Sequence, residues 1–166
     1  TRPQFDSLVG VQFYDTTAFH RVIPGFMIQG GDPNSRSGPV NTWGFGQPTQ
    51  PKVDAEFTVA RHNRGIIGAA RSTNINSATS QFFINVAYNA NLNGLYTVYG
   101  RVLKGMNWVD TIVLAPRNAQ DRPNLKHEMF ITRIGSNDSV PQAPQLKYPP
   151  QDSVAVDTII NQRYTH

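Results

Sequence analysis

The sequence predicts one mainly β domain with many loops, followed by an extended tail. Its 166 residues are enough for one hydrophobic core. The 13 Gly and 12 Pro suit short strands joined by turns better than a bundle of long helices. From residue 136 the composition changes to a polar run punctuated by proline. The chain therefore divides into a folded part, residues 1–135, and a tail, residues 136–166.

The composition also limits the chemistry. There is no Cys, which excludes disulfides and thiolate metal sites and leaves the redox compartment open. The four His are far apart and lack metal-ligand spacing, so neither a metal nor a cofactor is predicted. The net charge of +4 is scattered rather than clustered, which argues against a nucleic-acid partner. No apolar run is long enough to span a membrane.

The stretch 19–33, FHRVIPGFMIQGGDP, predicts a hairpin. Pro24 presets φ and Gly25 accepts a positive φ, so the pair favours a tight turn. The flanking runs, residues 18–23 and 26–30, are short and mostly apolar, as strands are.

Strict alternation assigns the side chains of these strands to faces. One face of the first strand is predicted to carry Phe19, Arg21 and Ile23. On the second strand, Met27 and Gln29 share one face, and Phe26 and Ile28 share the other. A guanidinium and a carboxamide among apolar residues are costly unless they are satisfied. Two interpretations stay open: the Arg reaches solvent, or it serves a function.

Four segments together resemble the cyclophilins, the peptidyl-prolyl cis-trans isomerases. They are FHRVIPGFMIQGGDP at 19–33, SATSQFFIN at 77–85, YTVYGRV at 96–102 and Gly105-Met106. The resemblance runs from residue 13 to residue 135. It implies a closed antiparallel β-barrel with capping helices, which accelerates rotation about X-Pro bonds and assists protein folding. The implied substrates are proline-containing polypeptides.

The resemblance also implies a set of site residues. Arg21 is expected to donate to the prolyl nitrogen, and Gln29 to hold the substrate carbonyl or to orient Arg21. The expected apolar cup for the proline ring consists of Phe26, Met27, Phe83 and Leu92, with Gln81 beside it. Tyr96 stands where the family usually has a rim His. The backbone of Ala70, Arg71 and Ser72 is expected to receive the substrate peptide, while the side chain of Arg71 could equally be a surface charge.

The remaining elements of the first half follow from periodicity and turn residues. Residues 3–11 carry a fragment of helical spacing. Residues 34–51, rich in Gly and Pro, read as a long surface loop. Trp43 and Phe45 in that loop either pin it to the domain or form a contact surface, and pinning is favoured. Residues 65–70 predict a buried strand, and 71–79 a polar loop.

The second half reads in the same way. Strands are predicted at residues 82–86, 96–103 and 128–134, and loops at 89–94 and 115–124. A helix is predicted over 105–114, with Met106, Val109, Ile112 and Val113 on one face. In the tail, residues 154–160 are mildly amphipathic and could form a short docking helix.

The sequence departs from the family pattern in two places, and each departure leads to an expectation. Cyclophilins have two strands before the first helix, and these are absent here, so we expect either a missing N-terminal part or a partner or tail that covers the gap. Asn91 stands where eukaryotic members have a Trp that helps to hold cyclosporin, which predicts weak binding of that drug.

Two other function classes stay open. The chain could be a cyclophilin-fold structural subunit of a larger assembly, held through residues 136–166, or a passive module that binds proline peptides. A start other than Met and a basic pI suit a bacterial envelope or a mitochondrion, but they do not fix the compartment.

Overall fold

A computed structural model describes residues 2–134. Its residues up to Arg133 form one compact unit. The predictions for the tail, residues 136–166 with the helix at 154–160, lie outside the described residues. Within the described range, no helix has the length and apolar character needed to cross a membrane.

The unit combines one antiparallel sheet with short helices. Its strands are β1 (Arg21–Ile23), β2 (Met27–Gly30), β3 (Ile66–Ala69), β4 (Phe82–Asn85) and β5 (Val98–Arg101). Its helices are α1 (Arg2–Gly10), the single turn α2 (Asn34–Ser37) and α3 (Met106–Val113), with 3-10 turns at Val40–Thr42 and Ala90–Leu92. The mainly β prediction is therefore confirmed, although most strands are shorter than predicted.

The strands are arranged in the order β1-β2-β4-β3-β5, and every neighbouring pair is antiparallel. The β1–β2 hairpin turns at Pro24-Gly25 as predicted, with Gly25 at φ +77°. Among the described strands, β1 and β5 are the two edges of the sheet. Closure into a barrel therefore stays a prediction.

The two faces of the sheet have different roles. Val22 pairs with Ile28, Ile28 with Ile84, and Ile84 with Ile67, so one face is an apolar row across four strands. This row belongs to the main core, against which Val109 and Val113 of α3 pack on the face predicted for that helix. The opposite face carries the polar residues considered below.

Alternation fails at the two residues that lie just outside the strands. Phe19 packs in the main core, edge-on to Phe82 at 6.2 Å between ring centroids, and not on the face of Arg21. Phe26 lies in the turn before β2, and it packs with Met27 rather than on the face of Ile28. Period-two reasoning applies only where the chain is extended.

The predicted strand at 128–134 is wrong: residues 2–134 show no strand there, only an isolated bridge between Ala18 and Glu128. Two backbone hydrogen bonds between Met129 and Thr16–Thr17 continue that contact. Met129 and Ile131 of this segment pack in the core, Phe130 and Ile134 are exposed, and the chain does not stay paired long enough to form a ladder.

The loop 34–51 is confirmed as a surface loop, but it contains α2 and the turn at Val40–Thr42. Trp43 is half-buried, and its Nε1 donates to the Gly38 carbonyl at 3.0 Å, as expected of a pinning residue. Phe45 does not pin the loop, because 83% of its surface is exposed.

Candidate functional site

Four residues form a row across the polar face of the sheet. Arg21 on β1 pairs with Gln29 on β2, Gln29 with Phe83 on β4, and Phe83 with Gly68 on β3. Directly paired residues of antiparallel strands point to the same side. Arg21, Gln29 and Phe83 are therefore brought side by side on one face of the sheet.

An apolar cup lies at the Phe83 end of this row. Its buried residues are Met27, Phe83 and Leu92, and its partly buried walls are Ile23, Phe26, Ala70 and Tyr96. The Phe83 ring stands edge-on to Tyr96 at 5.9 Å between ring centroids. All four residues predicted for the cup, together with Tyr96, thus come together in space.

Gly68 makes the position of the Phe83 ring possible. A Cβ placed on Gly68 would lie 2.4 Å from Phe83 Cζ, closer than carbon atoms can approach. Any larger residue at 68 must therefore displace the ring that lines the cup.

Arg21 lies at the exposed rim of the cup and not inside it. Its Nη1 donates to Gln29 Oε1 over a long 3.5 Å, and it forms no ion pair with any described residue. A guanidinium has five N–H donors, so most of them remain available to a bound molecule. The solvent-facing interpretation of Arg21 and the functional one are therefore compatible.

A chain of hydrogen bonds ties Gln29 to the loop after α2. Gln29 Nε2 donates to Gln81 Oε1 at 3.0 Å, and Gln81 Nε2 donates to the Gly44 carbonyl at 3.0 Å. The fully buried carboxylate of Asp32 accepts from the backbone N–H of Gly44 and of Gly46. The amide nitrogen of Gln29 is thus held by Gln81, and the amide oxygen of Gln29 stays turned toward Arg21.

The side chain of Arg71 is not a free surface charge. Its guanidinium carbon lies 4.4 Å from the centroid of the Tyr96 ring. Nη1 donates to the Ser72 carbonyl at 2.8 Å, and Nη2 donates to the Leu95 carbonyl at 2.9 Å. Arg71 therefore joins the loop after β3 to the Tyr96 wall of the cup.

The backbone of the same loop offers one open pair of groups. Ala70 N–H donates to the Gln81 carbonyl, and Ser72 N–H donates to Ser77 Oγ. Within residues 2–134, the N–H and C=O of Arg71 have no hydrogen-bond partner. Of the three residues predicted to bind a peptide through the backbone, Arg71 is the one with both groups free to pair.

A cavity of ≈ 600 Å³ adjoins the cup: it shares Ala70 with the cup, and Gln29 and Gln81 also line it. Its other lining residues are Gly44, Phe45, Gly46, Gln47, Pro48, Gln50, Lys52, Arg71, Ser72, Ser77 and Thr79. The sequence does not predict the contribution of residues 44–52. Nothing local in the sequence signals this contribution, because the Val53–Ala78 bridge brings the two loops together only in the fold.

A buried histidine lies beneath the cup. The His62 ring stacks on Phe83 at 6.0 Å between centroids, and neither ring nitrogen has a hydrogen-bond partner among the described residues. Burial lowers the pKa of His62. The neutral ring therefore serves as packing under Phe83.

The arrangement suits binding and hydrogen bonding more than proton transfer. Arg21 stays protonated at any physiological pH, and the cup walls are apolar. The open backbone groups of Arg71 can hold an extended peptide, the cup can take a compact apolar ring, and Arg21 can donate to that ring's edge. In the described range, no cluster of three or more His, Cys, Asp or Glu could hold a metal ion.

Comparison with known proteins gives consistent similarities. Residues 1–135 match the family model described as "Cyclophilin type peptidyl-prolyl cis-trans isomerase/CLD". A "Probable peptidyl-prolyl cis-trans isomerase" of Brucella abortus is 45% identical over 113 residues, which cover 66% of this chain and 58% of the relative. A "Peptidyl-prolyl cis-trans isomerase" of Acinetobacter baylyi is 43% identical over 120 residues, which cover 68% of this chain and 59% of the relative. The chain thus spans less than two thirds of the length of these relatives.

A solved structure resembles the fold. The crystal structure of a Cryptosporidium parvum cyclophilin type peptidyl-prolyl cis-trans isomerase, obtained in the presence of the dipeptide Ala-Pro, matches with a TM-score of 0.69 and 27% identity. The match covers 80% of this chain and 84% of that structure.

Proposed function

The chain belongs to the cyclophilin type peptidyl-prolyl cis-trans isomerase family, and from this premise we propose that it accelerates cis–trans isomerisation of X-Pro peptide bonds. Its substrates are proline-containing polypeptides, and its cellular role is assistance in protein folding. The site residues act without a covalent step and without a cofactor.

The energetics of the X-Pro bond define what the site must do. Amide resonance sets a barrier of roughly 18–20 kcal/mol, although the two isomers differ by only about 0.5–1 kcal/mol. Uncatalysed exchange therefore takes tens of seconds or longer. A donor that takes up the lone pair of the prolyl nitrogen weakens the C–N double bond and lowers the barrier.

Arg21 is the proposed donor. It stands at the rim of the cup with most of its N–H groups unused, so it can reach the nitrogen of a proline whose ring fills the cup. Gln29 Oε1 accepts a long hydrogen bond from one guanidinium nitrogen, and the Gln29 amide is itself held by Gln81. This support reduces the reorganisation needed at the moment of rotation.

The peptide is proposed to bind beside the cup in an extended conformation. The unpaired N–H and C=O of Arg71 would pair with the substrate backbone, while Met27, Phe83 and Leu92 take the proline ring. Holding one side of the X-Pro bond leaves the other side free to rotate.

One observation carries this proposal: a row of Arg21, Gln29 and Phe83 on one sheet face, ending in an apolar cup. Exchange NMR on a short Ala-Pro peptide tests it, with the chain at substoichiometric concentration. We expect cis–trans exchange to become many times faster than in peptide alone or with heat-unfolded chain. An unchanged exchange rate with a folded sample would refute the proposal.

Two finer expectations remain proposals. The antiparallel sheet is proposed to close as a barrel, as the family resemblance implies. Residues 136–166 are proposed to dock another protein, for which their proline-rich and polar composition is the support. Co-sedimentation of a partner protein with the full chain, and with a chain that lacks residues 136–166, tests the second proposal.

A further inference from the structure

The cavity beside the cup has an unbalanced charge. Lys52 and Arg71 are among its lining residues, and no Asp or Glu is. Asp54 and Glu56 follow Lys52 along the chain, yet neither lines the cavity. Two cationic residues therefore border this space without an opposing carboxylate: Lys52, and Arg71, whose guanidinium lies against Tyr96 on the side of the cup.

Neither cation is neutralised elsewhere in the described structure. The ion pairs there are Arg2–Asp6, Arg64–Asp110, Arg117–Asp121 and Lys126–Glu128, none of which involves Lys52 or Arg71. The N–H groups of Arg71 donate to carbonyl oxygens, which carry no net charge. These hydrogen bonds fix the position of the Arg71 guanidinium but do not neutralise its positive charge.

The side chains of Gln50 and Ser77 in the lining are already engaged in hydrogen bonds. Gln50 Nε2 donates to Ser80 Oγ, and Gln50 Oε1 accepts from the Gln47 N–H. Ser77 Oγ donates to the Asn74 carbonyl and accepts from the Ser72 N–H. Lys52 is exposed and forms no hydrogen bond with a described residue, so its ammonium is the donor that a ligand would meet.

The cavity also lies within reach of a peptide held at the cup. Ala70 borders both spaces, Gln29 of the cavity lining pairs with Phe83 of the cup, and Arg71 supplies the open backbone groups. An extended chain advances about 3.3 Å per residue, so a side chain in the cavity belongs to a residue about one to three positions from the proline.

We propose that this cavity binds an acidic side chain of the substrate, with Lys52 as the contacting cation and Arg71 as a fixed second charge. The proposal rests on the proposed isomerase function and makes it selective: X-Pro bonds with a nearby Asp or Glu are preferred over neutral ones. A charge pair with an exposed Lys supports a preference of about twofold to fivefold, which decreases as salt rises.

A scan of matched peptides tests this inference. One neutral Ala-Pro peptide is compared with versions that carry Glu or Gln at each of the three positions before and after Ala-Pro. Exchange NMR gives kcat/KM, and titration of the same samples gives Kd. At one position we expect the Glu peptide to exceed the Gln peptide about twofold to fivefold in kcat/KM and in affinity.

Charge reversal identifies the residue responsible. In Lys52→Glu the Glu-to-Gln ratio should fall below one, whereas in the control Lys104→Glu, which reverses an exposed Lys outside the cavity, it should stay as in wild type. Equal values for Glu and Gln at all six positions, or a Glu preference that survives Lys52→Glu, would overturn the inference.

The two proposals fail separately. Fast exchange of the neutral peptide with no Glu preference retains the isomerase and removes the acidic selectivity. If no peptide exchanges faster, the isomerase proposal fails, and the Kd ratio from the titrations still decides whether the cavity selects acidic side chains.

Discussion

At the scale of single residues, the Arg21 side chain is exposed to solvent and also donates a hydrogen bond to Gln29. The predicted alternation holds within β1 and β2, where Arg21 shares a face with Ile23 and Gln29 shares one with Met27, but it does not hold for Phe19. The position of Arg21 at the rim, outside the apolar cup, depends on how far a long side chain extends, and spacing does not contain that information. The support of Gln29 by Gln81 is non-local, since 52 residues separate the two.

The role of Arg71 shows the same limit. The family resemblance pointed to its backbone, whereas its side chain could have been an ordinary surface charge. The contact with Tyr96 and the bond to the Leu95 carbonyl join segments 24 residues apart. Only the folded structure shows that the Arg71 guanidinium connects the loop after β3 to the Tyr96 wall of the cup.

His62 makes stability depend on pH. Burial lowers its pKa in the folded state, so below about pH 6.5, the ordinary His value, the unfolded chain binds more protons than the folded one. Stability is therefore present at neutral pH and decreases as the pH falls through this window. One such group contributes a loss of up to about 1.4 kcal/mol per pH unit.

The variant His62→Phe should remove this contribution. Urea unfolding at pH 7.5 and pH 5.5 measures it: the drop in unfolding free energy between the two pH values should be smaller in the variant than in wild type. An equal drop in both proteins would show that His62 does not titrate in this way.

At the scale of elements, β3 and β4 shape the cup together. Gly68 on β3 leaves space for the Phe83 ring on β4. The sequence pattern predicted both strands, and the family resemblance implied that Phe83 faces the pocket. It did not predict why residue 68 must be small, because the cross-strand register was unknown.

Gly68→Ala should therefore damage the cup. Since the new Cβ would overlap Phe83 Cζ, the ring must move, and we expect a loss of about 1–3 kcal/mol in stability and a higher KM for proline peptides. The matched control is Gly100→Ala on β5, where a Cβ meets nothing within 4 Å. Similar effects of the two substitutions on KM would argue against a cup that depends on this packing.

Two element predictions failed for physical reasons. The segment 128–134 has strand-like composition, but strand formation requires a partner ladder, and only one bridge forms there. Phe45 was assigned to pinning as a loop aromatic, and it instead borders the cavity with most of its surface exposed. In both cases tertiary context decides what local composition leaves open.

At the scale of the whole molecule, residues 1–135 are predicted to carry fold and function without the tail. A chain ending at Gly135 should keep the melting temperature and the catalysed exchange rate of the full chain, because the core and the cup lie within the described residues. Thermal unfolding and exchange NMR on both chains check this. Loss of cooperative unfolding in the shorter chain would show that residues 136–166 belong to the folded domain.

The central claim is that the Arg21 guanidinium lowers the barrier to X-Pro rotation. The most direct measurement is exchange NMR on one Ala-Pro peptide with wild type, Arg21→Ala and Arg61→Ala, the last removing an exposed Arg outside the site. We predict that kcat/KM falls about 100-fold to 1000-fold in Arg21→Ala and stays near wild type in Arg61→Ala. An Arg21→Ala variant that is folded and as active as wild type would contradict the account.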